Sequence, residues 1–87
     1  MKIWKHELQM GPRETVLLPR AARLLCVQTQ NERPCIWFEF DEERHGTDQV
    51  TFFIATTGNQ FNMSSSAQYL GSFQLGGGTF VGHVYYV

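Results

Sequence analysis

The sequence has no apolar run approaching the roughly 18 residues that cross a membrane as a helix. Its start, MKIWKHELQM, sets charges among its apolar residues and lacks the long apolar core of a signal peptide. It has no excess of positive charge. Seven Lys and Arg stand against eight Asp and Glu, for a formal net charge of -1. That balance argues against a broad electrostatic grip on nucleic acid, while leaving room for a small local basic patch. Cysteine is scarce, at two residues, and a reducing cytoplasm fits best. Enzyme signatures are missing too. There is no Gly-x-Ser-x-Gly elbow, Ser64, Ser65 and Ser66 have no recognisable base partner, and Gly76, Gly77 and Gly78 are not followed by Lys-Ser or Lys-Thr. These gaps lead to the expectation of a non-enzymatic protein with no cofactor. No repeat occurs at the periods of solenoids or propellers.

Aromatic residues are abundant: seven Phe, three Tyr and two Trp. In 87 residues they supply the core of one small β-rich domain spanning 1–87. A domain of this size has a stability of about 5–15 kcal/mol. That small margin leaves a homodimer open.

The organising stretch is Leu24 to Phe40, LLCVQTQNERPCIWFEF. Two apolar runs flank the polar segment Gln28 to Arg33, the pattern of a β-hairpin. A turn centred on Asn31 and Glu32 sets Gln30 opposite Arg33, Val27 opposite Ile36 and Leu25 opposite Phe38. One face then carries Leu25, Val27, Ile36, Phe38 and Phe40, and is the candidate core. Cys26, Cys35 and Trp37 share the other face. On it Cys26 faces Trp37 and Cys35 faces Gln28, a diagonal arrangement poorly suited to a disulfide. A one-residue slip would destroy the segregation.

Ile3 to Gln9 reads as a first strand with Trp4, His6 and Leu8 inward, Trp4 anchoring the core rather than docking a partner. Gly11-Pro12 marks a turn, Thr15 to Leu18 a short strand that Pro19 stops or edges, and Pro19 to Arg23 a bend or single helical turn. Asp41 to Asp48 reads as an exposed connection and Val50 to Thr57 as a strong strand. Gln60 to Gln68 reads as a loop with room for a short helix near Ser65. Tyr69 to Leu75 and Thr79 to Val87 form a hairpin about the triple glycine. Phe73 and Leu75 share one face. Val81, His83 and Tyr85 alternate with Phe80, Gly82, Val84 and Tyr86, so the last strand is central or covered. The expected fold is mainly β, with six or seven short antiparallel strands and little helix. A compact sheet, a small sandwich and a partly open barrel all satisfy the pattern.

Three segments together carry a resemblance: IWKHEL, LPRAARLLCVQTQNERPCIWFEFD and YLGSFQLGGGTFVGHVYYV. They resemble a family of small uncharacterised proteins of bacteriophages and prophages. That family's pattern has an Ile-Trp-Lys start, a Val-Gln-x-Gln-Asn hairpin and a Tyr-x-Gly-Ser/Thr-Phe segment before an aromatic strand containing His. The match falls on Ile3, Trp4, Lys5, Val27, Gln28, Gln30, Asn31, Pro34, Trp37, Tyr69, Gly71, Phe73, Phe80, Val81 and His83. Glu32 stands where the family often has Gly, and Thr56-Thr57-Gly58-Asn59 where it has Gly-Thr-Gly-His. The resemblance implies no catalytic residue. It implies an accessory binding protein acting in the bacterial host cytoplasm, with a host or phage protein as partner, such as an inhibitor of a host defence or host enzyme.

From the residues, Glu39, Asp41, Glu42 and Glu43 could meet a basic partner surface, and Tyr85 and Tyr86 could add aromatic contacts. Equally, the acids could solubilise a loop and the tyrosines complete the core. A small-nucleotide or single-stranded nucleic-acid module would use Arg20, Arg23, Arg33 and Trp37, with Arg13 adding to the patch and Trp4 or Tyr69 as alternative stacking residues. A small structural or assembly component of a phage is a third reading. Asp41, Glu42, Glu43, His45 and Asp48 match no metal-loop spacing, so a solvated loop is expected there and no metal site. His6 and His83 would meet only if the terminal strands came together.

Overall fold

Short runs of β-branched and aromatic residues, alternating with polar ones and punctuated by turns, favour paired strands. The computed structural model, which describes residues 1–87, has seven: β1 (Lys2–Glu7), β2 (Arg13–Pro19), β3 (Arg23–Gln30), β4 (Arg33–Phe40), β5 (Thr47–Thr56), β6 (Gln68–Leu75) and β7 (Phe80–Tyr86). They form two antiparallel sheets, ordered β1-β4-β3 and β2-β5-β7-β6. The only helical element is a single 3-10 turn over Gly76–Gly78, and no helix is long and apolar enough to cross a membrane. Ser65 to Gln68 forms no helix; Ala67 N–H simply closes a turn onto the Ser64 carbonyl at 3.0 Å.

The sheets share one apolar core. Leu8, Val27, Ile36 and Phe38 meet Leu18, Phe52, Phe73 and Val84. Ile36, Phe52 and Val84 are almost wholly enclosed. The Cα envelope is 16 Å along its shortest axis, as two sheets stacked about 10 Å apart require. The arrangement is not closed into a barrel. At one seam β3 lies against β6, where Thr29 Oγ1 donates to the Gln74 carbonyl at 2.8 Å. At the opposite side the Glu14 carboxylate ties the β1–β2 corner, 2.8 Å from both His6 Nε2 and the Gln9 N–H.

The central hairpin turns at Asn31 and Glu32, with φ of 53° and 60°, the left-handed pair of a type I′ turn. Gln30 faces Arg33, Val27 faces Ile36 and Cys26 faces Trp37, as the alternation requires. Leu25 does not face Phe38. A bulge at Leu25 places Leu24 there instead, so Leu24 packs on the core while Leu25 turns to solvent. Trp4 also departs from expectation. It sits opposite Phe38 but is 60% exposed, whereas Phe38 is 4% exposed. The reason is position: β1 is an edge strand, so the indole has β4 on one side and no strand on the other. The last strand is central, between β5 and β6.

An aromatic face as the candidate functional site

The outer face of the four-stranded sheet is built by strand alternation. Arg13 pairs with Phe53, Phe53 with Tyr85, and Tyr85 with Tyr69, giving one row across all four strands. A bulge at Leu70 sets Tyr69, rather than Leu70, opposite Tyr85. The Tyr69 and Tyr85 rings meet edge to face with centroids 5.1 Å apart. Phe61, from the β5–β6 connection, reaches the same patch and lies 5.8 Å from Tyr85. Phe61 and Tyr69 are half exposed.

Neutral polar groups flank this row. Thr15 and Thr51 hydroxyls are 3.0 Å apart on one side. On the other, His83 Nε2 lies 2.7 Å from Thr57 Oγ1, and His83 Nδ1 lies 3.3 Å from Tyr69 Oη. Both ring nitrogens therefore have a hydroxyl partner whichever tautomer is present. A depression of about 300 Å³ opens beside them, lined in part by Thr57, Asn59, Phe61, His83 and Tyr85. By register the face holds no Asp, Glu or Lys, and Arg13 at its edge is its one formal charge with His83 neutral. Such a surface can stack on apolar or planar groups and exchange neutral hydrogen bonds. The third group in the Thr57–His83–Tyr69 chain is a phenol, which brings no negative charge to stabilise an imidazolium.

The sequence-derived candidates fall in several places. Tyr85 belongs to this face, but Tyr86 points to the opposite side, packs against the core and donates from Oη to Gln68 at 2.9 Å. Glu39 is paired with Arg23 at 2.6 Å and Glu42 with Lys2 at 2.9 Å, while Asp41 Oδ1 accepts the Glu43 N–H at 2.9 Å. Arg33 pairs with Glu7 at 3.1 Å, and Arg20 lies 3.9 Å from Asp48. Arg20, Arg23 and Arg33 thus each have a carboxylate nearby, whereas Arg13 lies at the edge of the aromatic row beside Phe53. Trp37 lies on the outer face of the other sheet, 5.7 Å from Lys5 Nζ, with its indole N–H enclosed and lacking an acceptor. Cys26 and Cys35 are free thiols facing Trp37 and Gln28. His6 pairs with Glu14, far from the hydroxyl partners of His83, so the two histidines do not meet. No group of three His, Cys, Asp or Glu side chains is arranged to hold a metal ion.

Phe53, Phe61 and His83 were absent from the candidate binding residues read from sequence, and Tyr69 figured there only as a platform for stacking bases. The alternation places His83 beside Tyr85, but the bulge hides the Tyr69 partnership. Gly71, next to the bulge, is the one local signal for it.

A family model for a domain of unknown function, DUF7352, matches residues 1–87. No curated protein and no solved structure matches the chain.

Proposed function

The chain belongs to the DUF7352 family, and we propose that it is a non-enzymatic binding module whose partner docks on the aromatic face of the four-stranded sheet. The observation that carries this reading is the Phe53–Tyr85–Tyr69 row on a face free of carboxylates and lysines. Protein interface centres are enriched in aromatic residues and depleted of charge, which is the composition found here. Phosphate recognition calls for several unpaired cations near the stacking rings; Arg13 beside Phe53 is a single one, and Arg20, Arg23 and Arg33 each have a carboxylate nearby. The resemblance to phage and prophage proteins supports a phage accessory protein in the host cytoplasm. Its partner is then a host protein, such as a defence factor or enzyme that it inhibits.

The test is affinity capture from bacterial lysate with folded bait, followed by mass spectrometry. The wild-type protein should retain a stoichiometric host protein that a Tyr69→Ser/Tyr85→Ser bait of equal thermal stability releases. Equal retention by both baits would remove the aromatic face from the account.

A further inference from the structure

The two sheets have four edge strands, and three are guarded by packing or by proline. β3 and β6 face each other across the seam, where Gly71 is so close that an added Cβ would lie 3.1 Å from Val27 Cγ1. The β6–β7 turn is tied down as well, since Glu32 Oε2 accepts the Gly76 N–H at 3.2 Å. β2 has Pro12 just before it and Pro19 as its last residue. β1 has none of these devices. It holds no proline, glycine or bulge, and its register to β4 runs without interruption from Lys2↔Phe40 to Glu7↔Cys35. Its guard is charge instead: Lys2 and Lys5 blunt it toward neutral and basic strands, which leaves an acidic strand as the kind it can accept by strand addition. Ile3 and Trp4, on opposite faces of β1, are 62% and 60% exposed and offer cross-strand contacts to an incoming chain.

We infer that β1 is a second docking site, independent of the aromatic face, and that its occupant is an extended acidic segment of another protein. The charge pattern selects that occupant. β1 carries Lys2 and Lys5 against the single acid Glu7, which already pairs with Arg33, while His6 is engaged by Glu14. Lys2 now holds Glu42, and Lys5 donates to Gln30 Oε1, both in exposed contacts worth little and readily exchanged. A second copy is a poor occupant. Antiparallel pairing about a two-fold axis must match positions of like parity. Centred on Trp4 or on Lys5, the registers that overlap most of the strand, it sets no acid opposite either lysine, and centred on Lys5 it sets the two Lys5 ammonium groups against each other.

The probes are two short capped peptides, one alternating Glu with Val and the other Lys with Val, added to the full chain. The formal net charge of -1 disfavours the acidic peptide overall, so preference for it reports local charge. The acidic peptide should bind about tenfold tighter than the basic one and slow amide hydrogen exchange in β1. The Lys2→Glu/Lys5→Glu variant, checked for unchanged fold by circular dichroism, should reverse that preference. Equal binding of the two peptides, no binding, or protection at β2 or the aromatic face instead of β1 would each overturn the proposal.

Discussion

Glu32 holds a backbone conformation that glycine adopts more readily, with φ at 60°, and its carboxylate accepts the Gly76 N–H. The two facts explain each other. Left-handed backbone costs a side-chain-bearing residue about 1 kcal/mol or more, and a hydrogen bond to a charged group returns a similar amount, about 1.5 kcal/mol at the low end. Glu32→Ala keeps the strain and loses the bond, whereas Glu32→Gly loses both. Urea denaturation should therefore rank the wild type above or level with Glu32→Gly, and Glu32→Ala lowest by about 1 kcal/mol. An alanine variant as stable as the glycine variant would show that the backbone at Glu32 is unstrained. Asn31 and Glu32 were legible as a turn because polar residues separate two apolar runs. The role of the carboxylate was not, because its partner lies 44 residues away.

Among the elements, β7 is the most constrained. It runs between β5 and β6, and at Gly82 it carries no side chain because the Phe73 ring occupies the space. A Cβ added at Gly82 would lie 2.5 Å from Phe73 Cζ. Gly82→Ala should cost about 1–3 kcal/mol by overpacking. Shortening the ring with Phe73→Leu should relieve part of that cost, so the double variant should be more stable than the sum of the single effects predicts. Simple additivity in chemical denaturation would contradict this packing. The alternation of β7 was plain in the sequence, since Val81, His83 and Tyr85 separate cleanly from Phe80, Gly82, Val84 and Tyr86. The bulges were not plain. Leu24 and Leu25 are chemically identical, so periodicity alone cannot say which one the core takes. That choice came from the tertiary fit, as did the pairing of Tyr69 with Tyr85 and hence half of the candidate site.

At the scale of the molecule, two thin sheets share one core while their margins differ in protection. Ile36→Ala should cost about 2–5 kcal/mol, a large share of a total of about 5–15 kcal/mol. Native-state hydrogen exchange should find β4, β5 and β7 slowest, since each is paired on both sides, and β1 fastest among the strands. β1 amides protected as well as those of β7 would mean that the edge is covered in solution. Charge is distributed to match this architecture. The acidic stretch Glu39 to Glu43 is largely engaged with Lys2, Arg23 and its own backbone, while the aromatic face is left free of acids. Binding should therefore depend on the rings more than on the acids. The most direct measurement is the affinity of the captured host protein for two variants, Tyr69→Ser/Tyr85→Ser and the charge reversal of Glu39, Asp41, Glu42 and Glu43. Loss of two interface aromatics should weaken binding by tenfold or more, about 1.4 kcal/mol, while the acid reversal changes it by less than about threefold. The opposite order, with the acid-reversed protein losing its partner and the tyrosine variant keeping it, would contradict the aromatic face as the docking site.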